Sequence, residues 1–295
     1  MLLRQLKGAY IVRFMMQLRA GIPLAGDVSQ MIKGAQFAQH LKFHDEFRAK
    51  HQQALKKYYW SRNPLKLWSR RWEYPFAAER VENFAPETGN RPIKMLDAGS
   101  GVTYFPYLLC ERMQNLSVIC SDYNATYKPV FDGINRAVPN SRVEFREGLL
   151  QKLPVADREI DILCCISVLE HTGDYPAAVA EFARVLRPGG LLVLTFDISL
   201  DGKFKLSEAD ARQVLSKVKR RFAVEEGVDV EAELKRVHER DGILTTDLVK
   251  QTEPDLLPWK WPMLVGVKDL LNGKGWTGGF RSKTILCLSG RTAVR

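Results

Sequence analysis

The stretch IKMLDAGSG (residues 93–101) places a short apolar run against an aspartate, Asp97, and two glycines separated by one serine. Such a run, ended by residues that favour tight turns, reads as a buried strand entering a sharp bend. The same rhythm continues outward. Apolar runs at 93–98, 117–121, 142–146, 160–166 and 191–196 alternate with amphipathic stretches near 104–114, 126–137 and 174–186. Strands alternating with helices predict an α/β fold, a Rossmann-like parallel sheet with helices on both faces. RPGG at 187–190 ends the third of those helices and turns the chain into the next strand. Beyond it the pattern predicts a helix near 207–220, a strand at 222–230, and a charged stretch rich in Pro and Trp to about 281. A final strand follows in KTILCLSG (283–290).

In an open parallel sheet, ligands sit beyond the carboxyl ends of the strands, and the first strand-to-helix turn lies at that crevice. Asp97, Gly99, Ser100 and Gly101 form this turn, where glycine permits a tight bend and close approach of a ligand. Asp122 ends the next strand, placed to accept both hydroxyl hydrogens of a ribose. Two cofactors fit the outline, a dinucleotide and S-adenosylmethionine (SAM). A pyrophosphate favours a third glycine at the helix start, where Tyr104 stands instead. Asp97 would repel phosphate but can receive the ammonium of the methionine portion of SAM. A purely structural role for Asp97, capping the turn, is the alternative.

MLDAGSG (95–101), VICSDYN (118–124), LPVADREIDILCCISVLEHTGD (153–174) and FARVLRPGGLLVLTFD (182–197) occur in this order and spacing. Together they resemble the class I SAM-dependent methyltransferases, in the branch of the ubiquinone- and menaquinone-methylating enzymes. The resemblance covers about residues 93–197. It implies a seven-stranded methyltransferase sheet with an antiparallel final strand, and SAM across the carboxyl ends of the first four strands. By position, Asp97, Gly99, Ser100 and Gly101 would line the methionine and ribose side, Asp122 would hold the ribose and Tyr123 would flank the adenine. Ser167 would border the methyl-donor pocket. Many members place an acidic residue after Gly148, where this chain has Leu149; Glu147 or a water would take over that adenine contact. Thr103 stands where many members have a third glycine.

The sulfonium of SAM is already activated, so the protein has to align an acceptor and exclude water. A hydroxyl acceptor also needs a base. His171, in LEHTGD, is the candidate base, with a structural histidine holding the loop as the alternative. Glu170, Asp197 and His238 are further candidates. An insertion at about 231–281, carrying Trp259, Trp261, Trp276 and Arg281, is expected to form a lid or to pack as ordinary core.

Charge divides the chain. Residues 1–92 hold 16 Lys and Arg against 7 Asp and Glu, a net +9, which leaves about +1 for the other 203 residues. We read residues 1–85 as a basic helical extension and 86–295 as the SAM-binding domain. The extension is expected to face an anionic membrane surface, nucleic acid or an acidic substrate, or to be a solvated surface. A long helix from about Val28 to Tyr59 would gather His40, His44 and His51 on one face; no carboxylate or cysteine completes a metal site there, so a solvated or partner-facing stripe is expected. KKYYWSRNPLKLWSRRWEYPF (56–76) interleaves three tryptophans with basic residues, suited to stacking on bases, sugars or headgroups or to clamping the extension onto the core. Within it, SRRWEYPF resembles methyltransferases of bacterial surface-polysaccharide pathways, which implies a glycan or lipid-linked sugar acceptor. The chain has neither the N/D-P-P-Y/F/W motif for base nitrogens nor a Pro-Cys nucleophile, which disfavours RNA; a small-molecule acceptor such as a quinone is the other alternative. Five cysteines sit mostly in apolar runs without a C-x-x-C pair and are expected to be buried free thiols. Arg4, Lys7, Arg13 and Arg19 interrupt the N-terminal apolar residues, so neither a membrane span nor a secretory signal is expected, and the chain is read as cytoplasmic.

Overall fold

Seven strands build one sheet in a computed structural model that describes residues 17–56, 58, 63–203, 206–225, 228–240, 242–258, 267, 270–271 and 280–294. They are β1 (Ile93–Ala98), β2 (Leu116–Asp122), β3 (Val143–Glu147), β4 (Ile160–Ile166), β5 (Leu186–Ser199), β6 (Phe222–Val224) and β7 (Lys283–Thr292). Their order is β3-β2-β1-β4-β5-β7-β6, with β1 to β5 parallel and β7 antiparallel to both β5 and β6. The order reverses between β1 and β4, which opens a crevice beyond their carboxyl ends. The expected strands are present, with two differences. β5 begins at Leu186 because the RPGG segment enters the sheet through a register shift opposite Ile160 and Ile162. β6 spans three residues where 222–230 was expected.

The helices are α1 (Ala25–Ile32), α2 (Ala35–Lys50), α3 (Gln52–Leu55), α4 (Arg70–Phe84), α5 (Phe105–Arg112), α6 (Lys128–Arg136), α7 (Tyr175–Val185), α8 (Glu208–Arg221), α9 (Val230–Glu239) and α10 (Thr246–Thr252). Local signals fix several of their starts. Asp174 caps α7 through the Ala177 N–H, and Ser207 and Asp210 form a reciprocal capping box on α8. Alternate strand residues feed two cores: Ile93 and Met95 pack with α2, α4, α5 and α6, while Leu96 and Ala98 pack with α7, α8 and α9.

The sequence pattern anticipates one helix over 28–59; the chain instead breaks at Lys33–Gly34 and at His51 into α1, α2 and α3. The histidine stripe is likewise corrected. His40, His44 and His51 are buried: α2 turns His40 and His44 inward onto Tyr104 of the same chain, and His51, just past α2, packs on Phe47. Burial, aided by Arg112, pushes the His40 imidazole down to about 3, so it is neutral in the fold. α4 is enclosed on nearly every side: Trp72, Phe76 and Val81 are buried, and so are Glu73, Glu79 and Arg80. It therefore shows no amphipathic face.

The outer edge of β7 is only partly covered by β6. Gly21 bridges Cys287 with two backbone hydrogen bonds, of 2.7 and 3.0 Å, and Thr245 bridges Thr284. Buried Glu233 fixes the first bridge by pairing with Arg19 and Arg236 and accepting the Ile22 N–H at 2.7 Å. Paired in this way, the edge is closed to further strands. All five cysteines are buried free thiols, as expected. Among the described residues no helix is long and apolar enough to cross a membrane.

Candidate active site

β1 delivers Asp97 to the crevice, and the turn after it is fastened to β2 by the Gly99 and Ser100 N–H groups, both donating to the Ser121 carbonyl (2.7 and 3.0 Å). Gly99 (φ +76°) and Gly101 (φ +52°) occupy the left-handed region that glycine adopts freely. The space beside them differs from the sequence expectation of ligand approach. A Cβ on Gly99 would meet Val168 Cγ1 at 2.3 Å, and one on Gly101 would meet the Tyr58 hydroxyl at 2.5 Å. The glycines thus admit the protein's own side chains from β4's end and from the N-terminal segment.

Asp97 is 5% exposed, and no hydrogen bond to its carboxylate is seen among the described residues. Burial, with Asp122 nearby, pushes its carboxyl up to about 7 against the opposing pull of Arg70. Asp122 accepts the Gly101 N–H on one oxygen (3.1 Å) and the Asn124 N–H on the other (3.2 Å), so it holds the turn while each oxygen keeps a lone pair for a ribose hydroxyl. Ser100 donates its hydroxyl to the Gly101 carbonyl. The Gly148 N–H donates to the Asp122 carbonyl, joining β3's end to β2's. Tyr123 is 71% and Leu149 57% exposed, and Glu147 is also exposed. Two open apolar groups on neighbouring strand ends suit the faces of a flat ring such as adenine.

A second polar cluster lies beyond β4, β5 and β7. Glu73 of α4 accepts the Ser167 and Thr195 hydroxyls on one oxygen and pairs with Arg70 through the other. Burial opposes its charge, but Arg70 and the two hydroxyls outweigh burial and hold the carboxyl below its ordinary value. Lys283 pairs with Asp197. Glu170 is fully buried, and burial beside Asp197 pushes its carboxyl well above the ordinary range. His171 sits in the turn after β4 with its N–H on the Val168 carbonyl and its side chain exposed. His238 is exposed at the end of α9.

The structure thus brings Asp97, Gly99, Ser100, Gly101, Asp122 and Ser167 to one crevice rim, with Tyr123, Glu147, Gly148 and Leu149 at its β2–β3 side. Sequence reasoning missed Arg70 and Glu73. They lie in SRRWEYPF, whose tryptophan pattern drew attention to stacking; the available signal was a glutamate among aromatics on a helix with no polar face. Trp68 and Trp72 are 3% and 1% exposed and clamp the extension onto the core, while Trp60 lies outside the described residues. Of the insertion, Trp259, Trp261 and Trp276 also lie outside them. Its described part docks on the same segment: the Trp68 N–H donates to the Leu256 carbonyl, and Arg71 pairs with Glu253.

A buried carboxylate with no hydrogen bond seen among the described residues, beside Asp122 and flanked by open apolar groups, fits the zwitterionic tail, ribose and adenine of SAM. Asp97 would hold the ammonium, Asp122 the ribose, and Tyr123 and Leu149 the ring. Residues 96–194 match the family described as a methyltransferase domain. The chain is 30% identical over 128 residues to a demethylmenaquinone methyltransferase of Deinococcus radiodurans, covering 42% of this chain and 48% of that one. It is 27% identical over 114 residues to a malonyl-[acyl-carrier protein] O-methyltransferase of Methylococcus capsulatus, covering 36% and 38%. The chain thus spans less than half the length of either relative. A geranyl diphosphate C-methyltransferase from Streptomyces coelicolor A3(2), solved with S-adenosyl-L-homocysteine, aligns over 76% of this chain and 77% of that one, at 14% identity and a TM-score of 0.48.

Proposed function

From the premise that this chain is a class I SAM-dependent methyltransferase, we propose that it methylates a hydroxyl of a glycan or lipid-linked sugar. The observation that carries the donor side is Asp97, a buried carboxylate at the end of β1 to which no cation among the described residues is hydrogen-bonded. When bound, SAM supplies an activated methyl group on a cationic sulfur. The chain's own residues do the rest. Asp97 and Asp122 bind and orient the donor. Ser167 bounds the donor pocket, α4 shuts water out from below, and the 242–258 segment packed on Trp68 walls one flank. His171, on the turn that borders the crevice, is the base that takes the hydroxyl proton.

The acceptor reading draws on the net +9 of residues 1–92, which would attract the chain to an anionic surface displaying lipid-linked sugars, as a peripheral contact. The test follows the label. With methyl-tritiated SAM and a lysate of the source organism, radioactivity is expected in the lipid or polysaccharide fraction. Label in nuclease-sensitive material or in a free small molecule would replace the sugar with RNA or a quinone-like acceptor. Release of no S-adenosylhomocysteine from any extract would remove the catalytic reading altogether.

A further inference from the structure

Four non-glycine residues among those described have left-handed backbones: Asn140, Arg158, Ser167 and Arg240. Asn140 and Arg158 are exposed turn residues and Arg240 is the exposed C-cap of α9, whereas Ser167 (φ +48°) is buried at the end of β4. A Cβ-bearing residue is held in this region only when its surroundings over-determine it. Here the holding groups are explicit. The Ser167 N–H donates to the Thr195 carbonyl at 2.9 Å and approaches the Thr195 hydroxyl at 3.1 Å. The Ser167 and Thr195 hydroxyls both donate to one oxygen of Glu73, whose other oxygen is tied to Arg70. Glu73 is 94 residues from Ser167 in sequence and belongs to α4, outside the 96–194 segment. The next residue, Val168, fills the space that a Cβ on Gly99 would take. The backbone twist at Ser167 therefore aims Val168 into the turn that carries Asp97.

We propose that Glu73 is a positioning residue for the cofactor crevice: it holds Ser167 in the left-handed conformation and so seats Val168 inside the Gly99 turn. The methyl-donor wall would then be completed by the N-terminal helices, and a fragment limited to the methyltransferase segment would lack it. The proposal rests on the SAM reading for its binding readout, and on geometry alone for its stability readout.

Glycine adopts this conformation without an anchor, which supplies the test. The full chain, Glu73→Ala, Ser167→Gly and the double variant are compared by calorimetry with SAM and by thermal unfolding. Glu73→Ala is expected to weaken SAM about tenfold in the native background and less than about threefold when combined with Ser167→Gly, as expected for directly coupled sites. Glu73→Gln, which keeps an oxygen for both hydroxyls, is expected to lose less than Glu73→Ala. Equal losses from Glu73→Ala in both backgrounds overturn the proposal, since a merely structural glutamate would act independently of residue 167. Should Glu73→Ala not fold, Ser167→Ala must bind SAM at least about fivefold more weakly than Ser167→Gly, because alanine keeps the backbone penalty without the hydroxyl anchor; equal binding refutes it. Failure of the unsubstituted chain to bind SAM would refute the cofactor reading instead. The same cycle is then read in Tm, where the Glu73→Ala loss must still shrink beside Ser167→Gly.

Discussion

The two ends of the sheet's crevice differ in which of their acids have a cation beside them. At the ends of β1 and β2, no cationic side chain among the described residues is hydrogen-bonded to Asp97 or Asp122, and both carboxyls lie above their ordinary range. Beyond β5 and β7, with α4 packed beneath, Glu73 and Asp197 are each bound to a cation, Arg70 and Lys283. Only Glu170 is left without a charged partner in hydrogen-bonding range among the described residues. In the SAM reading, the first end would be completed by the ammonium and ribose of the cofactor. At the second, the fold supplies cations for Glu73 and Asp197, so acidity alone does not mark a ligand site.

This contrast is most directly broken at Asp97. Asp97→Ala is expected to weaken SAM about a thousandfold, roughly 4 kcal/mol, while leaving Tm unchanged or higher, as measured by calorimetry and thermal unfolding. An unchanged affinity would move the cofactor elsewhere. Asp197→Ala should behave in the reverse sense. Removing the carboxylate that pairs with buried Lys283 is expected to cost about 3 kcal/mol of stability, read from urea unfolding.

Proton linkage separates the two ends more finely. With its carboxyl pushed up to about 7, Asp97 is increasingly protonated below that pH, and a cationic ligand must displace the proton. SAM affinity should therefore fall by up to about tenfold per pH unit on going from 7 towards 5, and Asp97→Asn should flatten that profile. Stability responds to the buried histidines with its own sign. His40 is held neutral, down to about 3 from an ordinary 6.5, so the unfolded chain takes up a proton that the fold refuses. Its contribution is intact above about 6.5 and shrinks as pH falls towards 3, by at most about 1.4 kcal/mol per unit. Urea midpoints measured against pH should lose that slope in His40→Gln. The smallest effect belongs to the flank of the crevice: Arg71→Ala breaks a pair with half-exposed Glu253 and should cost less than about 1 kcal/mol by urea unfolding.

Much of the frame is visible in the chain itself. Strands β1 to β5 and the turn at Asp97–Gly101 follow from apolar runs punctuated by glycine, because each is encoded within a few consecutive residues. The expected adenine side rests on equally short separations, since Tyr123 follows the end of β2 and Leu149 lies two residues past β3. The histidine stripe was visible as a periodicity, but its destination was not. Polar residues on a helical face point outward by default, and only the proximity of Tyr104 shows that this face turns inward.

The sequence by itself determined a doubly covered parallel sheet, the turn carrying Asp97, and the partner carboxylate Asp122 one strand away, since local periodicity and turn chemistry act over short separations. Only the tertiary structure decided that α4 runs beneath the crevice, that Glu73 reaches Ser167 and Thr195 across 94 and 122 residues, and that Val168 and Tyr58 occupy the space beside the glycines. Contacts of that range leave no periodic trace in the chain, because they depend on how whole elements stack and not on the residues that flank each partner.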